Sequence, residues 1–353
     1  MAINHTRLST DELKRYNRQL ILSEIGIEGQ QRLKSAKVLV IGAGGLACPI
    51  LQYLVAAGVG TIGIIDDDKV DISNLHRQIL YSTIDTGRNK AECAAEKLKV
   101  LNPEVRFLTF PVRLDPNNAT ATIGAFDIIL DGSDNFETRY LVNDICVGLA
   151  KPLVFGSIFG FEGQLSVFNY QNGPTYRCVF PEPGEAPNCA LNGVLGVLPG
   201  IIGTYMANEA LKLILGIGET LSGRLLVVNV LENTFHSFKV TRVAPISQAS
   251  TKSTYDAERD KFPQIEFQLS KEQLEVLLEK EEQSILLVDV REPNEFEANN
   301  LGGINIPLSE VLDEISTLEA DRTVVFYCNT GRRSKQAFDL VKAAGFKGES
   351  YWV

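Results

Sequence analysis

A five-residue run rich in β-branched residues, Lys37-Val-Leu-Val-Ile41, passes directly into Gly42-Ala-Gly-Gly-Leu-Ala47, and this junction leaves few folds open. An apolar run bounded by glycine reads as a buried parallel strand. The glycines then turn the chain into a helix that should end near Ala57, where Gly58-Val-Gly60 closes it. Strand, glycine loop and helix together aim backbone N–H groups and a helix N-terminus at a phosphate. The pattern is Gly42-x-Gly44-Gly45-x-Ala47, and the final alanine still permits close helix packing. Taken alone it fits a dinucleotide site as well as an ATP site, and Asp66 at the end of the next strand could hold a ribose in either.

The alternation continues along the chain. Residues 11–33 read as one amphipathic, charged helix, 61–65 as a strand, 90–101 as a helix and 106–111 as a strand. Residues 126–130 form a further strand that ends in Asp131-Gly-Ser-Asp134-Asn135 and feeds a helix, with a short strand at 153–155. Residues 164–169 and 225–230 alternate in polarity, as antiparallel additions to the sheet would. The expected fold is α/β, a doubly wound mixed-sheet nucleotide-binding domain.

From Ala244 onward the composition shifts to Ser, Thr, Gln, Lys and Pro without periodicity, and a new β/α pattern begins near Gln264. It holds a helix at 270–281, strands at 285–290 and 323–327, and a helix at 334–344. The expected organisation is a nucleotide-binding domain at 10–243, a linker at 244–262 and a smaller α/β domain at 263–353. Two domains suit a chain of 353 residues at roughly one per 150.

The formal net charge of −10 argues against a broad nucleic-acid footprint, which needs a clustered basic face. Six cysteines without compact spacing read as reduced thiols of a cytoplasmic protein. Residues 1–10 lack an apolar stretch of signal-peptide length. Residues 193–215 are largely apolar, but Pro199, Asn208, Glu209 and Lys212 interrupt them. They read as a buried helix with small residues for close packing, so no membrane association is expected.

What separates the nucleotide readings comes after the second strand. Asp66-Asp-Asp68 is followed by Ser73-Asn-Leu-His-Arg-Gln78, then by Lys90, and later by Asp134-Asn135. A nicotinamide site needs neither a Mg²⁺-type carboxylate nor extra cations beside the phosphates. Attack of a carboxylate on the α-phosphate of ATP needs both. A C-terminal carboxyl, with a pKa of about 3.5, is already ionised at neutral pH, so no general base is required. The barrier is electrostatic, and fixed cations with Mg²⁺ lower it. Arg77, Lys90 and Asp134 are the residue types this demands, and a chain with only three histidines is suited to chemistry that needs no imidazole.

Arg15-Tyr-Asn-Arg-Gln19, Gly42-Ala-Gly-Gly-Leu46, Ser73-Asn-Leu-His-Arg77, Asp134-Asn135 and Gly193-Val-Leu-Gly196 together resemble the MoeB/ThiF family. These are ubiquitin-activating-type adenylyltransferases of molybdenum-cofactor, thiamine and tRNA-thiolation pathways. The resemblance spans residues 10–243 and rests on several separated motifs in order. It implies that Gly44, Asp66, Ser73, Asn74, Arg77, Lys90 and Asn135 contact ATP, with Gly42, Gly45 and Asp68 completing the loop, and that Asp134 binds Mg²⁺. It also implies a homodimer in which Arg18 reaches the neighbouring subunit's ATP, whereas residue chemistry alone would place Arg15 and Arg18 on a solvated helix face. The implied partner is a small ubiquitin-like sulfur carrier of the MoaD/ThiS kind, activated at its C-terminal glycine, with molybdopterin synthesis as the first choice of pathway.

Cys189, in Ala186-Pro-Asn-Cys189, matches the position of a cysteine that takes part in acyl transfer in rhodanese-fused relatives. Many relatives hold zinc through two Cys-x-x-Cys pairs. Thr175 stands at the first position of Thr175-Tyr-Arg-Cys178, and no cysteine lies between Arg242 and Phe262, so no zinc site is expected. Cys48, Cys93 and Cys146 fall on helical segments and read as small core residues.

In the second domain Cys328 follows the apolar strand Thr323-Val-Val-Phe-Tyr327 and opens Cys328-Asn-Thr-Gly-Arg-Arg-Ser334 before a helix. A thiol cradled by backbone N–H groups at a helix N-terminus has a depressed pKa, and such a nest suits an anionic persulfide. Gly331 would let the loop wrap tightly, and Arg333 would add positive charge. With Asp289-Val-Arg291-Glu292 and Gly303-Ile-Asn-Ile-Pro307, the segment resembles a rhodanese-type sulfurtransferase. A cysteine-phosphatase loop would carry Arg where Ser334 stands. Rhodanese domains usually continue through a glycine pair and a further helix, so an end at Val353 sets the expectation of a shortened domain. The implied sulfur source is a donor such as a cysteine desulfurase, with Cys189 as relay and resolving thiol. Two other readings stay open: a rhodanese domain that only docks, and, more remotely, an NAD-dependent oxidoreductase.

Overall fold

The computed structural model describes residues 7–181, 193–243, 267, 269, 273–274, 285–318, 322–328 and 331–353. They fall into two units, Met1–Ala244 and Pro245–Val353.

In the first unit the strands are β1 (Lys37–Ile41), β2 (Thr61–Ile65), β3 (Arg106–Phe110), β4 (Ile128–Asp131), β5 (Leu153–Phe159), β6 (Glu162–Phe168), β7 (Arg224–Asn229) and β8 (Thr234–Lys239). They form one sheet in the order β3-β2-β1-β4-β5-β6-β7-β8, parallel as far as β5 and antiparallel beyond it. The helices are α1 (Thr10–Arg15), α2 (Asn17–Leu20), α3 (Gly26–Ser35), α4 (Ala47–Ala57), α5 (Lys90–Leu101), α6 (Ala119–Gly124), α7 (Phe136–Gly148) and α8 (Val197–Leu215).

Period-two alternation divides the central strands between two cores. Val38 and Val40 join Ile50, Leu54, Ala94 and Ile202 on one face, while Leu39 and Ile41 join Ile123, Phe126 and Tyr140 on the other. Both faces are covered, as a doubly wound sheet requires. The expected α/β fold is the one observed.

Local departures have local causes. The single helix expected at 11–33 is three, because Tyr16 leaves the helical conformation to bury its ring and Gly26 takes φ +56°. The strand expected to end at 155 continues to Phe159 because β6 pairs with its whole length. Strand β8 was not legible in the sequence: five of its six residues are exposed, so neither face carries an apolar alternation.

Helix α8 lies against α4, and Gly203 makes this possible, since a Cβ there would fall 2.3 Å from the Leu46 carbonyl oxygen. Among the described residues no helix is long and apolar enough to cross a membrane.

The second unit carries β9 (Ile285–Asp289), α9 (Pro293–Ala298), β10 (Ile304–Asn305), β11 (Thr323–Tyr327), α10 (Arg332–Ala343) and β12 (Ser350–Trp352). Its sheet is parallel, in the order β10-β9-β11-β12. The linker and most of the helix expected at 270–281 lie outside the described residues.

Candidate active site

The glycine loop is shaped by close backbone approach. Gly42 takes φ +81°, and a Cβ there would sit 3.2 Å from the Gly132 carbonyl oxygen, so the first glycine packs against the loop that carries Asp134. Gly45 faces Pro199 at the start of α8 and the Cγ of Arg77. The α4 N-terminus, the Arg77 segment and the 131–135 loop therefore meet at one end of the parallel strands. That is where an open α/β sheet binds its ligand.

Asp66 fixes the loop from below: its Oδ2 accepts from Ala43 N at 2.6 Å and its Oδ1 from Asp68 N at 2.8 Å. Burial raises the Asp66 carboxyl, against the pull of the Ala43 N–H and the Lys90 ammonium. The Tyr81 hydroxyl reaches the Ala43 carbonyl at 2.8 Å and the Lys90 carbonyl at 3.2 Å, tying the glycine loop to α5. Asn89 caps α5 by accepting from Glu92 N, and it donates to the Asp66 and Asp68 carbonyls. Lys90 is thereby delivered to the loop, with its Nζ 2.9 Å from Asp68 Oδ2.

Ser73 and Asn74 lie on a short turn capped by Asp71, and the Ser73 carbonyl accepts from Arg77 Nη1 at 3.3 Å. His76 Nε2 lies 2.6 Å from the same Arg77 nitrogen, which makes the imidazole an acceptor there and orients the guanidinium. Asn135 is the N-cap of α7, accepting from Thr138 N at 2.9 Å, which fixes the side chain and leaves its amide nitrogen for a ligand. Asp134 is exposed and makes no hydrogen bond or ion pair with a described residue. The carboxylates of Asp66, Asp67 and Asp68 gather within 4.8 Å of one another, but Asp66 and Asp68 are already held by Ala43 N and Lys90.

Gly42, Gly44, Gly45, Asp66, Asp68, Ser73, Asn74, Arg77, Lys90, Asp134 and Asn135 thus border one site. Arg18 does not. It lies with Arg15, Tyr53, Ala56 and Leu211 at the far end of α4, on the order of 15 Å along the helix from Ala47 at a rise of about 1.5 Å per residue.

Cys48, Cys93 and Cys146 are buried, as expected of core thiols, and burial pushes Cys48 up to about 12 and Cys93 up to about 11. Cys178 differs. It accepts from Thr175 N at 3.3 Å and Val243 N at 3.4 Å, with the Thr175 hydroxyl at 3.4 Å. Despite desolvation, these donors hold the thiol below its usual range. Cys189 lies outside the described residues.

In the second unit Cys328 is half-buried at the end of β11, its Sγ 3.5 Å from Ser334 Oγ, which donates to the Val353 carbonyl oxygen at 2.6 Å. Gly331 opens α10 at φ +76°, and Asn329 and Thr330 lie outside the described residues. Arg333, expected to add positive charge beside Cys328, forms a two-point pair with Glu295 at 2.6 and 2.8 Å. Asp289 and Arg291, motif residues in the sequence, form a buried ion pair at the end of β9. Asn305 donates to both of their carbonyls.

The sequence model of the ThiF family matches residues 16–247, and that of the rhodanese-like domain matches 270–353. The chain is 53% identical over 244 residues to a sulfur carrier protein adenylyltransferase of Thermus thermophilus, covering 67% of this chain and 90% of that protein. It is 43% identical over 359 residues to the probable adenylyltransferase/sulfurtransferase MoeZ of Mycobacterium tuberculosis, covering 96% and 90%. It is 43% identical to the adenylyltransferase and sulfurtransferase MOCS3 of Drosophila ananassae, covering 97% and 81%. The fold is shared with E. coli MccB, solved with ATP, at a TM-score of 0.58 and 21% identity, covering 68% of this chain and 81% of that one.

Proposed function

The chain belongs to the ThiF family and carries a rhodanese-like domain, and from that premise we propose that it adenylylates the C-terminal glycine of a ubiquitin-like sulfur carrier and then converts the acyl-adenylate to a thiocarboxylate. The observation that carries this reading is the meeting of Lys90, Arg77 and an uncommitted Asp134 around the α4 N-terminus, with Asp66 beneath the loop. Relatives named as sulfur carrier adenylyltransferase and adenylyltransferase/sulfurtransferase support it.

In the first step a carboxylate oxygen of the carrier attacks the α-phosphorus of ATP. The bond to the bridging oxygen breaks, and pyrophosphate leaves with its electron pair. Asp66, fixed by Ala43 N, suits the ribose hydroxyls. The glycine-loop N–H groups receive phosphate oxygens. Lys90 and Arg77 offset the charge that grows on pyrophosphate, and both are oriented before ATP arrives, Lys90 by Asp68 and Arg77 by His76 and the Ser73 carbonyl. Asp134, free of other partners, fits a magnesium ion carried in with the nucleotide, which would neutralise further phosphate charge. No side chain needs to remove a proton, because the attacking carboxylate is already ionised.

In the second step the terminal sulfur of a persulfide on Cys328 attacks the acyl carbon and AMP leaves. Attack by a thiolate on the Cys328 sulfur then frees the thiocarboxylate and leaves a disulfide. We assign that resolving role to Cys189 and the supply of sulfur to a cysteine desulfurase. We further propose a homodimer in which Arg18 serves the partner's nucleotide; its place at the far end of α4 supports this. Molybdopterin synthesis is the pathway we favour, with thiamine or tRNA thiolation sharing the chemistry.

The test is pyrophosphate exchange. Purified protein with Mg²⁺ and a carrier of the MoaD or ThiS kind should move labelled pyrophosphate into ATP, and mass spectrometry should find the adenylate and then a gain of sulfur. Silence with every such carrier would remove the proposal.

A further inference from the structure

We propose that Arg139 is a positioning residue for Asp134, holding the loop that presents its carboxylate to the magnesium–nucleotide complex; this rests on the role given to Asp134 above. Arg139 lies one turn into α7, and its Nη2 donates to the Ser133 carbonyl oxygen at 3.1 Å, on the peptide that leads into Asp134. Its guanidinium stands 5.5 Å from the ring centres of both Phe136 and Phe155, which restrain it laterally.

The same stretch of loop is held from its other side. Asp131 is fully buried and its Oδ1 accepts from Ser133 N at 2.9 Å. Ser133 is therefore gripped at its N–H by Asp131 and at its C=O by Arg139. Asp131 Oδ2 and Arg139 Nε are both buried without a hydrogen-bond partner; burial raises the Asp131 carboxyl, against the pull of the Arg139 guanidinium. On the other flank Asn135 is tied down as the cap of α7. From 131 to 139 the restraints leave one uncommitted functional carboxylate, that of Asp134. A metal-directed carboxylate gains from such a frame, because outer contacts set the angle at which it meets the ion. Lysine at this position could not both donate to the carbonyl and fill the slot between two rings with a planar cation.

Calorimetry with the full chain and a non-hydrolysable α,β-methylene ATP analogue, in Mg²⁺ and separately in EDTA, tests this without turnover. Wild type should bind more tightly in Mg²⁺. In Arg139→Lys and Arg139→Gln that Mg²⁺-dependent gain should shrink by about tenfold, the lower end of outer-contact effects on metal affinity, while affinity in EDTA stays within about twofold. Manganese binding in the presence of the analogue, followed by electron paramagnetic resonance, should weaken in parallel. An unchanged gain, an equal loss in both media, or variants that cannot be obtained folded would each overturn the proposal and leave Arg139 a fold residue. A wild type with no gain would instead strike at Asp134 itself, and at this inference through it.

Discussion

Lys90 Nζ lies 2.9 Å from Asp68 Oδ2, yet the lysine side chain is 6% exposed and the aspartate 68%. The ammonium is therefore desolvated by its own unit and paired with a carboxylate that remains in water. Such a cation acts strongly on a nearby phosphate, because water no longer screens it. Lys90→Ala should lower the rate of pyrophosphate exchange by about 100-fold, as loss of one preorganised charge typically does. Asp68→Asn should cost far less, since an ion pair open to solvent contributes about 1 kcal/mol or less. Steady-state exchange kinetics compare the two; equal losses would mean that Asp68 itself touches the nucleotide.

The two chemical steps should separate at Cys328. Cys328→Ser should leave pyrophosphate exchange at the wild-type rate and abolish thiocarboxylate formation, read as the missing sulfur in the carrier's mass. If the variant still yields thiocarboxylate, the rhodanese-like domain is a docking module and sulfur reaches the acyl group by another route.

Thiol reactivity should follow the hydrogen bonds. Cys178, its sulfur facing three donors and its pKa held low, should react with iodoacetamide at neutral pH well before the buried Cys48, Cys93 and Cys146. Thr175→Val removes the hydroxyl donor and should slow Cys178 by roughly fivefold, the equivalent of one hydrogen bond of about 1 kcal/mol. Peptide mapping by mass spectrometry gives the four rates. Early labelling of Cys146 would contradict the packing described above.

Acid stability should depend on Asp85. Burial pushes its carboxyl up, but Lys97 at 2.7 Å and hydrogen bonds from Ser82 hold it below the usual range. A carboxyl with a folded pKa below its unfolded value of about 3.9 contributes stability that is complete above that value and lost as the pH falls through the folded pKa. Asp85→Asn should lower the melting temperature near neutral pH and approach wild type as the solution is acidified below about pH 3. Melting curves by circular dichroism across that range decide it; a constant offset at every pH would refute the assignment.

The single tryptophan, Trp352, is buried in the second unit, so its fluorescence reports that unit alone. Glu295→Gln leaves the mostly buried Arg333 without its anion. We expect about 1–3 kcal/mol of destabilisation, the worth of hydrogen bonds to a charged group, seen as an earlier urea midpoint in tryptophan emission. No shift would show that Arg333 finds another partner.

The local geometry of the candidate site was legible where its parts are local. Glycine at 42, 44 and 45 after a β-branched strand and Asp66 closing the next strand are short-range patterns with short-range causes, whereas Asn89, the cap that delivers Lys90, was not singled out. Arg139 was missed. A lone arginine in Phe-Glu-Thr-Arg-Tyr reads as an ordinary helix charge, and only its offset of six from Ser133, just ahead of a helix N-cap, could have raised it. The pairing of Arg333 with Glu295 was not legible, since Glu295 stands 38 residues earlier and nothing nearby in sequence announces it. The long helix expected at 11–33 failed at Tyr16, where burial of a ring and a hydrogen bond from Asn102 outweigh helix periodicity.

The succession of strands and helices along the chain, the glycine turn and the buried faces follow from the chain itself, because steric limits on φ and ψ and the periods of strand and helix act over a few residues. Which charges are paired, which thiol is held low and which end of α4 Arg18 lies against were decided by tertiary structure alone. Coulomb attraction, desolvation and hydrogen bonding depend on distance through space, and Cys178 meets Val243 across 65 positions that sequence spacing does not measure.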